Sequence, residues 1–301
     1  MKKISILFFI FISLISSAQD YIDLGKFHYA NTPVNQFDTA TNGTRIQEMG
    51  LDVTLPLVLK NGNAVITGFY TESISTKIAP EHSNLTSVYS TMLKIGMNFK
   101  YGEKWEGTYI LLPKLSSDFK QIGSQDFQMG AYALFKYKKQ ANLNYKFGLY
   151  YNSELFGPFF VPIVGMYYQS KNKKFETNIN LPISVDANYA FNDWFRAGMN
   201  FFAFVRTYHL NEPYKGNQDN YLAKTTNEIF GYLQFHIKKS IIIQTKVGYS
   251  VGRNYRIYDV KDQVTWGMSA FKFGDNRNQL NPDFNDGLIF RVKLAYRYHL
   301  D

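Results

Sequence analysis

Near the end of the chain, in "LIFRVKLAYRYHLD", the cations Arg291, Lys293 and Arg297 stand at even spacings. Between them run Leu288, Phe290, Val292, Leu294, Tyr296, Tyr298 and Leu300, all apolar or aromatic. A period of two puts the two sets on opposite faces of a strand. Cations held on one face and repeated around a wall attract anions, and rings of Lys or Arg select for them in a pore. The same parity argument adds Lys94, Lys136, Lys146, Arg196, Arg206, Glu228 and Lys246 to the polar set. Leu288 through Leu300 are then the lipid-facing residues of the terminal strand and the basic set lines a lumen.

Covalent and metal chemistry find less support. Cysteine is absent, which excludes thiolate metal sites, disulfides and a lipid-modified cysteine. The histidines are His28, His82, His209, His236 and His299, and none stands in a Ser/His/acid arrangement. His209, in "RTYHLNEPY" close to Glu212, is the one best placed for acid–base work. There is no GxSxG, no HExxH and no phosphate-cradling glycine loop. The segment "DFNDG" offers Asp283, Asn285 and Asp286 as oxygen ligands of the kind Ca²⁺ uses, but not at EF-hand spacing, so a solvated turn is the expectation. No catalytic residue, metal or cofactor is assigned.

These faces need strands to carry them. "SVYSTMLKIGMNFKY", "NLNYKFGLYYN" and "IIIQTKVGYSVG" alternate in the same way. Short connections ("KNGN", "YGEK", "KKQA", "SKNKK", "FND", "KKS") alternate with longer polar ones at 32 to 43, 76 to 86, 116 to 123, 152 to 159, 209 to 223 and 255 to 284. That rhythm belongs to up-and-down membrane barrels, which have short turns at one end and long loops at the other. The expected fold is therefore all-β: a transmembrane antiparallel barrel of about fourteen strands, with twelve as the alternative. The break at Leu181 and Pro182 is the one that decides the count, since "FETNINLPISVDANYAF" could run as a single bent strand. The loop at 255 to 284 mixes Tyr258, Trp266, Phe271 and Phe273 with charges, which suggests a small outer hairpin or a constriction.

Composition agrees. Aromatic residues make up 17% of the chain, which suits strands and membrane interfaces, while mean hydropathy is slightly polar at -0.26. Half of each strand in lipid and half in water reconciles the two. At the N-terminus, "MKK", the apolar run "ISILFFIFISLI" and "SSA" form a secretory leader over 1–18, leaving 19–301 as one barrel domain. Removing Lys2 and Lys3 takes the formal charge from +9 to +7. The basic residues are dispersed, so nucleic acid is not an expected partner.

With these features in hand, the chain resembles outer-membrane β-barrel proteins of Gram-negative bacteria. The terminal strand is similar to the signal read by the barrel-assembly machinery, although it closes on Asp301 where a terminal aromatic is usual. More narrowly, "LDVTLPLVLKNGN" and "YAFNDWFRAGMNFF" resemble an uncharacterised barrel family, a domain of unknown function. The resemblance implies residence in the bacterial outer membrane, with its lipids and the assembly machinery as partners. The expected function is a narrow channel or transporter for small, anionic solutes. A structural or partner-binding barrel with a plugged lumen stands beside it, and a lipid-modifying enzyme behind both.

Overall fold

The computed structural model describes residues 21–38, 40–81 and 85–299. The leader segment 1–18, His82 and Leu300 lie outside them. Fourteen strands form the wall among the described residues: β1 (Tyr21–Phe37), β2 (Ala40–Val58), β3 (Ala64–Thr76), β4 (Thr86–Tyr101), β5 (Trp105–Ser117), β6 (Phe127–Gln140), β7 (Leu143–Glu154), β8 (Gly157–Gln169), β9 (Phe175–Leu181), β10 (Ser184–Ala190), β11 (Phe195–Leu210), β12 (Asn220–Lys238), β13 (Ile241–Asp259) and β16 (Leu288–His299). Two three-residue strands, β14 (Trp266–Met268) and β15 (Phe271–Phe273), make a hairpin inside the last long loop.

Each wall strand pairs antiparallel with its neighbours, and β1 pairs with β16 from Tyr21 opposite His299 to Asn31 opposite Phe290. The ring is therefore closed, and no wall strand is left with a free edge along its whole length. It is a transmembrane barrel of the expected class, with fourteen wall strands. Closure follows from the alternation: Leu288, Phe290, Val292, Leu294 and Tyr296 are all exposed on the outer surface, in a belt with Leu93, Ile95, Leu111, Phe147, Val164, Met199, Ile229 and Val247. In water such a belt would be prohibitive; in lipid it is the solvated face.

The short turns and the ends of β1 and β16 lie at one end, here called the inner end. The turn at Asn61 and Gly62 shows the local chemistry, since Gly62 takes φ +82 and closes a hairpin in which Asn61 Oδ1 accepts from the Asn63 N–H. Aromatic side chains gather near this end, with Trp105 on Tyr137 at 4.8 Å and Trp194, Phe195 and Phe235 in mutual contact. At the outer end Tyr151 meets Phe160 at 5.0 Å and Tyr89 stacks on Phe119 at 5.9 Å. These two levels mark the apolar belt's boundaries.

Two expected loops are strand instead. Pairing of β1 with β2 continues through Asn31, Thr32, Asn35 and Gln36, replacing the loop expected at 32 to 43. β7 and β8 likewise continue to Glu154 and from Gly157, replacing most of the loop at 152 to 159. Backbone pairing does not require apolar side chains, so polar residues extend the wall beyond the lipid. The break at Leu181 and Pro182 is real, but it makes β9 and β10 only seven residues long. Pro158 and Pro162 lie in the part of β8 above the reach of β9, where an absent N–H removes no bond to that neighbour.

Candidate functional site

The inward positions of the inner half carry cations from many strands. Lys94 bonds the carboxylate of Asp52 and lies 2.6 Å from Thr54 Oγ1, while Lys26 pairs with Asp52 at 3.0 Å. Lys136 pairs with Glu106 at 2.6 Å, and Arg196 reaches Glu176 and Asn188, both at 3.2 Å. Arg297 bonds Asp23 at 2.7 Å and lies over the Tyr21 ring. Lys146, Lys246 and Lys293 have no carboxylate within ion-pair range among the described residues. Lys146 donates to Asn178 at 2.5 Å and Asn180 at 3.3 Å; Lys246 donates to Asn200 at 3.0 Å over the Tyr232 ring; Lys293, beside it on β16, forms no ion pair among the described residues.

The outer half is built differently. Glu48 on β2 accepts from Lys224 on β12 at 2.6 Å and from the Tyr255 hydroxyl at 2.7 Å. Arg291 pairs with Glu228 at 2.7 Å and approaches Glu48 at 3.7 Å. Glu72 on β3 accepts from Arg206, from the Tyr208 hydroxyl at 2.7 Å and from the Tyr70 hydroxyl at 2.8 Å. Glu154 on β7 accepts from the Thr207 N–H and hydroxyl and stands 3.5 Å from Lys114. The Glu72–Arg206 tie joins strands six apart in the ring, and Glu48–Lys224 and Glu154–Thr207 join strands four apart, so these three cross the lumen.

The element that makes this reach is β11. Beyond Phe202 it has no β10 residue beside it, and it leans across the mouth until His209 and Ser117 of β5 form a parallel bridge. The Asp118 N–H donates to the His209 carbonyl at 3.0 Å, and the Ser116 hydroxyl donates to the Thr207 carbonyl at 2.7 Å. Above the ion pairs Tyr208, Leu210 and Leu222 pack with Phe37, Ile46, Ile74, Ile257 and Phe284 in a buried cluster. The outer ties are packed, with Lys114, Glu154, Lys224 and Glu228 side chains at most 4% exposed. The inner half is mixed: Lys26, Asp52, Glu106 and Lys136 range from 22 to 35%, while Glu176, Arg297, Lys146 and Lys246 are buried.

A buried charge is tolerated only when it is paired and its remaining hydrogen-bonding capacity is met. Glu48, Glu72 and Glu154 each meet that condition through two or more donors. Parity reasoning had the basic members Arg206 and Arg291 but passed over Glu48, Glu72, Glu154, Lys114 and Lys224. The signal was present, because Glu48 and Asp52 share one face of β2.

His209 does not partner Glu212. Its Nδ1 lies 2.6 Å from Asp126 Oδ1 and its Nε2 2.8 Å from Asp219 Oδ1, whereas Glu212 pairs with Lys120 at the rim. With both ring nitrogens held by carboxylates, neither is free to deprotonate a nucleophile. "DFNDG" is an anchor: Asp283 binds Arg256 through both oxygens, and Asp286 accepts from the Gly252 and Arg253 N–H groups. Among the described residues no group of three His, Asp or Glu side chains is placed to hold a metal ion.

A family described as Domain of unknown function (DUF6268) matches residues 15–296. The chain belongs to this family. No curated protein is significantly similar to it in sequence. Among solved structures it is similar to the COG4313 outer membrane channel from Pseudomonas putida F1, at 6% identity and a TM-score of 0.47 over 91% of this chain and 94% of that one. It is similar to the NanC porin at 10% identity and a TM-score of 0.34, covering 90% and 98%. The Pseudomonas putida toluene transporter TodX follows at 8% identity and 0.36, covering 91% and 90%.

Proposed function

We propose that this chain is a gated channel of the bacterial outer membrane, exported by its leader and inserted by the barrel-assembly machinery. Its inner half forms an anion-preferring vestibule, and the inward-leaning tips of β11 and β12 close the outer half. The observation that carries this reading is a surplus of inward cations: Lys146, Lys246 and Lys293 have no ion pair among the described residues, beside the many cations that each face a carboxylate. Cations answered only by amides leave a net positive field on the inner wall, which favours small anions. Fourteen strands lie between the filled 8-stranded barrels and the open 16-stranded porins, wide enough for such a vestibule once the crossing element moves.

A plugged structural or partner-binding barrel is the second reading, favoured by the packed outer core. Planar-bilayer recording separates them. The full chain should conduct rarely, and a variant in which residues 206–222 are replaced by a short Gly/Ser turn should conduct steadily with anion preference. A closed bilayer from a variant that still folds as a barrel would favour the plug.

A further inference from the structure

The wall is complete only in part. β9 and β10 stop at Leu181 and Ser184, but β8 continues outward through Gly157 to Ile163 and β11 through Ala203 to Leu210. Above the β9–β10 turn, β8 and β11 therefore flank a gap seven or more residues tall. The turn itself touches β11 once, where Ile183 O accepts from the Ala203 N–H at 2.8 Å. The hairpin β14–β15 fills the β8 side. It is attached through Gly267 opposite Phe159 and Met268 opposite Phe160, with the Ser269 N–H donating to the Phe160 carbonyl at 2.9 Å. β15 pairs only with β14, so a seam without backbone pairing runs between β15 and β11.

The seam opens at the level of lipid. Val164 on β8, Leu181 on β9 and Met199 on β11 lie exposed on the belt just below it, and Phe160 at the outer aromatic level lies beside it. The hairpin turns apolar groups outward: Phe271 is 65% exposed, and Trp266 stacks on the half-exposed Phe273 at 4.2 Å. Behind it Phe156, Phe159, Val161, Tyr221, Tyr258 and Val264 form a buried apolar cluster, edged by Ile183 and Val205. An apolar surface thus continues from the acyl-chain region of the bilayer through the wall and into the barrel.

We infer that this seam is a lateral binding site for a single acyl chain, admitted from the outer leaflet between β15 and β11, with the β14–β15 hairpin as its cover. The occupant follows from position, since acyl chains bathe the opening, and from the aliphatic and aromatic lining of Phe156, Phe159, Val161 and Val264, beside which Lys272 and Arg277 lie over the Phe156 ring. The inference goes beyond ion passage and stands without it.

The test reconstitutes the full protein in vesicles with a palmitic acid carrying a diazirine at its methyl end, photolyses, and maps labelled residues by mass spectrometry. The expected result is labelling of Phe156–Val161, Tyr258 and Val264. A second measurement uses V205W, which adds bulk on β11 at the edge of the cluster behind the seam: inner labelling should fall at least tenfold while outward labelling stays. Labelling confined to outward residues such as Val164 and Phe271 in the wild type would overturn the inference, as would inner labelling unchanged in V205W. Conductance read in parallel keeps a failed channel distinct from a failed seam.

Discussion

Glu154, the last residue of β7, accepts both the N–H and the hydroxyl of Thr207 on β11, at 2.8 and 2.6 Å, across the mouth of the barrel. Glu154 is also the carboxylate nearest Lys114, whose ammonium has no hydrogen-bond partner in its buried position. Removing it leaves a buried cation and two orphaned donors. Glu154→Ala should therefore destabilise the barrel by about 3 to 5 kcal/mol, the cost of breaking a buried pair, read by urea unfolding in lipid. Glu154→Gln, which can still accept one bond, should cost less. A loss no greater than that of an exposed Glu would contradict the role assigned to this tie.

The terminal strand supplies two neighbours with opposite surroundings. Leu294 is 45% exposed on the belt, while Lys293 faces inward without an ion pair among the described residues. Leu294→Arg should cost about 2 to 4 kcal/mol at mid-belt depth, and Lys293→Gln should leave folding nearly unchanged. Equal damage, measured by refolding into vesicles, would reverse the assigned faces.

Selectivity should respond to the unpaired lysines. Reversing Lys246 to Glu in the conducting tip-deleted variant should move the reversal potential toward cations. Reversing Lys114, deep in the packed half, should instead impair folding. Unchanged selectivity in Lys246→Glu would remove the vestibule from the proposal.

Acid should loosen the outer loop. Two bonds from Arg256 hold the Asp283 carboxyl below its ordinary range, and two from Arg277 do the same for Asp275. A depressed folded value means stability fully present above the unfolded value of about 4 and lost as pH falls through the folded one. Hydrogen-exchange protection in 260–287, taken relative to the intrinsic amide rate at each pH, should be alike at pH 7 and pH 5 and lower at pH 3. Loosening already complete at pH 5 would point to other groups.

Much of the barrel was legible from alternation alone, because a period-two pattern states which face of each strand is apolar and the turn residues state where it reverses. Strand ends were less legible: Asn35 and Gln36 read as loop, yet their backbones pair as well as those of apolar residues. The crossing ties were hidden for another reason. Parity places Lys224 and Glu48 inward, but 176 residues separate them. Nothing local says that β12 comes within reach of β2, four strands away around the ring, or that a short β9–β10 pair would free β11 to lean inward.

The pairing of Tyr21 with His299 joins the first described residue to the last. During synthesis, β1 and β13 therefore remain raw edges until residues 288–299 arrive, and each would recruit any strand it met. The fold offers no smaller closed intermediate, so the ring is completed in a single late step of very high contact order. A chain cut short by one strand would be an open sheet with two adhesive edges, so the last twelve strand residues decide whether the first thirteen strands are a wall or an aggregation surface.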